Sequence, residues 1–426
     1  MTPAPSVRPI RLSLLILSYF AFISLGLPDG LLGVAWPSIA GDFRVATEAV
    51  GLLLIASTTG YFISSVAAGF TLARVGVGWL LAFSTAAASA ALAGYALSPA
   101  YAVMVPFALL AGFGGGAIDS GLNAYAAAAF GAKHMNWLHA FFGLGVAIGP
   151  LIMTAVISGG LGWRWGYGIV ASAQACLALA FFLTVRRWVR HGEVARSEPA
   201  PLQAAVPVGD AVATAVAAQP TTAKVRTRET LALPAVWLGV LAFAVYVAVE
   251  AGAGLWAFLL LTESRGISAA VAGLCVSLYW GMLFVGRVVQ GVASERFDPT
   301  KILVGSLFGM AAGALLVALP LHASVTVAGL AVIGFAAAPV FPLLTLTTAD
   351  RVGQAHADRA IGMQIGGAGL GGSLIPAGIG ILMGKFGAGA LGPCLLVLSI
   401  LLIVFYLAAT KVRAPAASLP AAESVG

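Results

Sequence analysis

The sequence predicts an all-α integral membrane protein, with twelve transmembrane helices in two pseudo-symmetric six-helix halves. Three observations predict it. The 426 residues are 60% hydrophobic and only 9% charged, with a mean hydropathy of +1.01, which excludes an ordinary soluble domain. A membrane-spanning helix needs about 20 predominantly apolar residues, and runs of that kind centre near residues 24, 60, 87, 115, 148, 175, 247, 281, 311, 335, 371 and 398. Finally, several motifs recur at a spacing of 221 or 222 residues. The apolar runs are continuous and lack the alternation of a membrane barrel.

Helix 1 runs to Ala40 and contains Asp29. Arg8 and Arg11 precede it as they would a secretory leader, but the run is too long, is interrupted by an acid and lacks a convincing cleavage site. Helix 2 ends in Gly69-Phe70-Thr71-Leu72-Ala73-Arg74-Val75-Gly76, and helix 3 follows. Helix 4 carries Gly112-Phe113-Gly114-Gly115-Gly116 and then Asp119 and Asn123. Helix 5 contains His139, six residues beyond Lys133, which reads as an interfacial side chain. Helix 6 stops at the basic cluster Arg186, Arg187 and Arg190.

After an Ala-, Pro- and Arg-rich interruption, helix 7 presents Tyr246, Glu250 and Trp256, and helix 8 presents Trp280 and Arg287. Helix 9 precedes helix 10 with Gly334-Phe335. Helix 11 holds Gln364 and a glycine-rich stretch to Gly372, and helix 12 ends at Lys411. The expected division is residues 1–190 for the first half, 191–231 for a cytoplasmic linker, 232–413 for the second half and 414–426 for a tail. Cys176, Cys275 and Cys394 lie within predicted helices at no metal-like spacing and read as small apolar fillers.

Most lysines and arginines fall on the side of the termini and the linker, while the opposite side holds only Arg44, Arg164, Arg265 and Lys385. By the positive-inside rule both termini face the cytoplasm, as in a bacterial inner membrane. The net charge of +7 then follows from topology and does not argue for nucleic-acid binding.

Duplication is visible in three markers. Asp29-Gly30-Leu31-Leu32-Gly33 and Glu250-Ala251-Gly252-Ala253-Gly254 share an acid-xxx-Gly pattern 221 residues apart. The stretch from Gly69 recurs as Gly291-Val292-Ala293-Ser294-Glu295-Arg296-Phe297-Asp298, and Gly112-Phe113 recurs as Gly334-Phe335, both at 222. Such repeats are a mark of transporters that bind their solute between the halves.

An ionisable group costs about 2.5–3.5 kcal/mol at a bilayer centre on insertion scales, so such residues are usually functional. Asp29 sits in Gly26-Leu27-Pro28-Asp29-Gly30, where Pro28 and two glycines predict a break in the helix. Asp119 is the deepest acid and the first choice for coupling to a proton, because low dielectric disfavours the charged form of a carboxyl. It also reads as a hydrogen-bonded link between helices. Asn123 lies one turn from it. Glu250, with Tyr246 one turn before and Gly254 one turn after, forms a face that suits a sugar, or else pairs structurally with Arg287. Trp280 and Gln364 are further candidates for the same cavity. Arg287 neutralises an acid, binds an anion or serves as a structural lock. The glycine tracts sit mid-span without a P-loop Lys-Ser/Thr and read as sites of close helix packing. No enzyme constellation or metal-ligand spacing is present in the sequence.

The repeated loop after helices 2 and 8 resembles that of the major facilitator superfamily, Gly-x-x-x-Asp-Arg-x-Gly followed by basic residues. Ala73 replaces the acid in the first copy, while Glu295 precedes Arg296 in the second. The resemblance implies a latch between the halves that involves Arg74, Glu295 and Arg296. Asp29, the Asp119-to-Asn123 segment, Leu138–Gly145 and Tyr246–Glu250 with Trp256 resemble the fucose–galactose–proton symporters and related sodium-dependent glucose transporter-like proteins. That narrower likeness implies that Asp29 and Asp119 serve sugar binding and proton coupling. Helix 4 has Asp where the fucose symporters have Glu.

The expectation is therefore a monomeric secondary active transporter that moves a small polar solute, a sugar, by proton-coupled symport through alternating access. The proton is the coupling ion, with sodium the other candidate, and no other cofactor is required. Its partners are the solute and the lipid bilayer, with no nucleic acid. Two rivals are a proton-driven exporter of drugs or metabolites and a non-transporting membrane receptor or scaffold.

Overall fold

A computed structural model describes residues 12–188, 226–294 and 296–412. Helix α1 is Leu12–Phe43. The next helical run, Val50–Leu97, is 48 residues long. As one straight helix it would measure about 72 Å, more than twice the hydrocarbon core of a bilayer. It is broken at Gly76, whose φ of 77° and ψ of 167° are open to a residue without a Cβ. The run therefore makes two spans, α2 (50–75) and α3 (77–97). Then follow α4 (Tyr101–Ala129), α5 (Gly131–Ser158) and α6 (Trp163–Thr184).

The second half contains α7 (Pro234–Leu259), which runs on into a π-helical turn, Leu260–Ser264, and α8 (Ala269–Ala293). Next are α9 (Pro299–Ala318) and α10 (Ala323–Ala337, resuming as Val340–Leu346). The last two are α11 (Gln354–Phe386) and α12 (Leu391–Lys411). Among the described residues eleven continuous helices are long and apolar enough to cross a membrane, and the break at Gly76 makes the twelfth. All twelve expected centres fall inside these spans. Of the expected linker only residues 226–231 are described, with a short helix at Thr227–Leu231. Glu295 and the expected tail lie outside the described residues.

Within the first half α1 packs on α5 and α6, and the α2–α3 run packs on α4 and α6. Within the second half α7 packs on α11 and α12, and α9 and α10 close the layer. The halves meet through α5 on α8, α2 on α11 and α1 on α7.

The duplication is written into the contacts. Gly112 of α4 sits so close to the Ser57 carbonyl of α2 that a methyl group there would collide with it, and Gly334 of α10 stands in the same relation to the Tyr279 carbonyl of α8. Each residue of the second pair lies 222 positions after its counterpart. The glycine tracts are therefore packing surfaces, as their sequence context implies.

One sequence expectation is corrected. α1 stays helical through Pro28 and does not unwind at Gly26–Gly30. Its glycines serve a different purpose: a methyl at Gly26 or Gly30 would strike the backbone of α5 at Phe142 or Val146. Close packing along α5 holds the helix together across the proline.

At the end of the bundle remote from the termini the halves are pressed together. A Cβ on Gly33 would lie 2.8 Å from the Leu255 carbonyl oxygen and 2.9 Å from that of Gly254, and one on Gly51 would lie 2.5 Å from the Ala377 methyl. A Cβ on Gly273 would run into Thr154. The short turn Thr47–Ala49 packs on α11 beside these contacts. At the other end, Gly69 of α2, Gly291 of α8 and Gly362 of α11 face open space.

Candidate functional site

A cavity of about 250 Å³ lies between the halves, walled by α1–α6 on one side and by α7, α8 and α11 on the other. Asp29 on α1 and Glu250 on α7, the two acids of the duplicated motif, both line it, as do Trp280 and Arg287 on α8. Chains as apolar as these place few polar groups on a cavity wall, so those that are present define its chemistry.

Glu250 is 1% exposed. Its carboxylate accepts a hydrogen bond from the Tyr246 hydroxyl one turn earlier, and its backbone carbonyl accepts one from the Tyr279 hydroxyl at 2.8 Å. The Tyr246 hydroxyl also lies 3.1 Å from the Ala337 carbonyl oxygen. The backbone of Glu250 is thereby tied to α8, and the Tyr246 hydroxyl links its carboxylate to α10. Gly254 leaves room for the Trp280 ring, which a methyl at that position would strike. The indole thus reaches the cavity beside Glu250. Arg287 reaches across towards the first half, its Nη1 lying 3.6 Å from the position a Cβ on Gly143 of α5 would take.

Asp119 stands behind the wall instead of on it. It is 6% exposed. Tyr61 of α2, which does line the cavity, donates to its Oδ2 at 2.6 Å, and the Asn123 amide donates to its Oδ1 at 2.8 Å. Both carboxylate oxygens therefore accept a hydrogen bond, which offsets part of the cost of burying the group. The Tyr61 hydroxyl is the polar link between the cavity and the acid. Tyr61 carried no signal in the sequence, because it lies 58 residues from its partner.

Four residues expected to bind solute lie off the cavity wall: Asn123 and Tyr246, which donate to Asp119 and Glu250, together with Trp256 and Gln364. Trp256 is 1% exposed, and its indole N–H donates to the Pro376 carbonyl of α11 at 2.9 Å, so it staples α7 to α11. Gln364 is fully buried, and its Oε1 accepts from the Thr348 hydroxyl at 2.9 Å. That hydroxyl also lies 3.2 Å from Nη2 of Arg351, which is 5% exposed. Gln364 thus belongs to a polar cluster at the end of the bundle nearer the termini. Arg74 and Arg296 are exposed at that same end, and among the described residues neither is in an ion pair. His139 is 8% exposed and packs edge-on against Phe22 at 5.1 Å. Among the described residues no cluster of His, Cys, Asp and Glu could hold a metal ion.

The sequence profile of the Major Facilitator Superfamily matches residues 18–376 and 251–424. The glucose/mannose transporter GlcP of Bacillus subtilis is 21% identical over 371 residues, covering 86% of each chain. Among solved structures, a bacterial homologue of the human lysosomal transporter Spinster, inward-facing and occupied, superposes with a TM-score of 0.71 at 14% identity, covering 96% of this chain and all of that one. The fucose:proton symporter FucP of E. coli superposes with a TM-score of 0.59 at 16% identity, covering 95% and 99%. A profile that matches most of the chain, on a duplicated helical bundle with a central cavity, places it: this integral membrane protein belongs to the Major Facilitator Superfamily of small-molecule transporters.

Proposed function

We propose that this protein moves a sugar across the membrane by proton-coupled symport, with the solute bound between the halves. The observation that carries the reading is the lining of the cavity: an acid from each half, Asp29 and Glu250, with the flat Trp280 ring beside Glu250. Carboxylates accept hydrogen bonds from sugar hydroxyls, and an aromatic face covers the apolar C–H surface of a pyranose. A cavity of about 250 Å³ suits a small solute such as a monosaccharide better than a bulky drug. The names of GlcP and the fucose symporter point the same way.

In this mechanism Asp119 carries the proton and Tyr61 connects it to the cavity. The solute contacts Asp29, Glu250 and Trp280. Protonation and solute binding must favour the same conformational state for transport to be coupled, typically by about 1–3 kcal/mol. With the termini in the cytoplasm, the tight contacts at Gly33, Gly51 and Gly273 close the outer side. On this reading the cavity opens to the cytoplasm, as expected of an inward-facing state in an alternating-access cycle.

Purified protein in proteoliposomes, challenged with a panel of sugars at two pH values with and without sodium, tests this directly. A sugar-evoked inward current that grows with the proton gradient and ignores sodium supports the proposal. A current that requires sodium replaces the proton as coupling ion. Silence across the panel overturns the sugar reading.

A further inference from the structure

The wall of the cavity on α6 holds two side chains that each carry a polar atom with no hydrogen-bond partner among the described residues. α6 reaches the cavity at Tyr167 and Gln174. They are 1% and 2% exposed. Seven residues apart, they lie on one face of the helix, about 10.5 Å apart along its axis. The Gln174 amide nitrogen donates to the Ser24 carbonyl of α1 at 2.9 Å. Only the –NH₂ end of an amide can donate to a carbonyl, so this bond fixes the flip and leaves Oε1 as the unused end. Among the described residues neither the Gln174 Oε1 nor the Tyr167 hydroxyl has a hydrogen-bond partner. The Tyr167 ring is held edge-on by Tyr95 at 5.2 Å and by Trp163 at 5.9 Å, so its hydroxyl is positioned by packing.

Buried polar atoms are almost always paired, and an unpaired one is costly. Two of them on one face of one helix, both on residues that line the same cavity, point to a partner supplied from outside the chain. Gln174 offers a neutral acceptor. Tyr167 offers a group that donates or accepts. Neither carries a formal charge, and a hydroxyl group satisfies both.

We infer that Tyr167 and Gln174 form a hydroxyl-recognition subsite on the first half of the cavity wall, which binds a neutral polyhydroxyl solute opposite Glu250. The inference rests on the cavity being the solute site and extends it by naming residues that set which hydroxyls are read. Selectivity among isomeric sugars then lies on α6, and the acids of α1 and α7 supply general affinity.

Calorimetry on the purified protein with a hexose panel and the matching monodeoxy analogues tests it, using the wild type, Tyr167→Phe, Gln174→Leu and Glu250→Gln, with thermal melting of each in the absence of sugar. Tyr167→Phe deletes one unpaired oxygen, so the ligand-free variant should melt at or above the wild-type temperature. It should bind the parent sugar about tenfold more weakly, in line with a lost hydrogen bond to a buried group. It should also bind one particular deoxy analogue as well as the wild type does. Gln174→Leu should show the same pattern with a different analogue, and Tyr167→Phe decides alone if Gln174→Leu does not fold.

Equal affinities of wild type and Tyr167→Phe for every sugar would overturn the subsite while Glu250→Gln still weakened binding. A lowered melting temperature with unchanged affinity would overturn it too, because it would assign these atoms to an ordered water. Failure of the wild type to bind any sugar would instead sink the transport reading on which the subsite rests.

Discussion

Gly33 and Gly254, counterparts in the two halves, meet across the interface: a Cβ on Gly33 would stand 2.9 Å from the Gly254 carbonyl oxygen. Each lies four residues after the acid of its own half, Asp29 or Glu250. The axis relating the halves therefore passes close to this crossing of α1 and α7, and both acids lie one helical turn from it. The pair is at once a packing contact and a seal at the end remote from the termini.

Because backbone occupies the space beside Gly33, Gly33→Ala should force that end apart and favour the opposite conformational state. Spin labels at 45 and 266, one in each half at that end, would report it in a background lacking Cys176, Cys275 and Cys394. A population shift of about tenfold towards longer distances is expected, equivalent to about 1.4 kcal/mol. An unchanged distance distribution would show that the contact does not govern the seal.

Asp119→Asn keeps the shape of the side chain and removes its proton chemistry. Uphill uptake in proteoliposomes should be lost, whereas counterflow exchange of the same solute should persist. Full accumulation by the variant would remove Asp119 from the coupling mechanism.

Tyr61→Phe severs the 2.6 Å bond between the cavity wall and Asp119 and leaves the ring in place. The expected result is about a tenfold fall in maximal rate of proton-driven uptake, in line with the loss of a charge-assisted hydrogen bond. Equilibrium solute affinity should change by less than about twofold, since the ring that lines the cavity remains. A variant with normal rates would show that protons reach Asp119 by another path.

Glu250→Gln and Trp256→Phe should separate along different measurements. The first weakens solute binding by about 10- to 100-fold, as expected for hydrogen bonds to a charged group. The second breaks the 2.9 Å link to Pro376, lowering stability by about 1 kcal/mol with solute affinity unchanged. Reversal of this pattern would return Trp256 to the binding site.

The bundle was legible because helix spans and duplication are local or periodic signals. Hydrophobic runs mark the spans, and recurring glycines mark the same close approaches in both halves. The acids were legible for a related reason, since a carboxylate in an apolar run is conspicuous by its insertion cost. Tyr61, Tyr167 and Gln174 had no such mark. A tyrosine or a glutamine in a membrane helix is ordinary, and their importance comes from what lies opposite in space. Trp256 is the converse case: an indole on the same helix as Glu250 is a candidate for the solute site, yet its N–H is committed to another helix. Pro28 was read as a break because the sequence does not show the α5 backbone packed against its flanking glycines.

The equivalent contacts of Gly112 with Ser57 and of Gly334 with Tyr279 carry a design consequence. In one half the residue lending its carbonyl bears a small hydroxymethyl group that faces the cavity, and in the other it bears a phenol that holds Glu250. The same backbone joint thus tolerates side chains of very different size. An engineer can treat positions 57 and 279 as paired sockets in a common frame and exchange what is plugged into one without recutting the other. A library built at 57, with every glycine joint left untouched, is the economical route to carriers with altered solute preference.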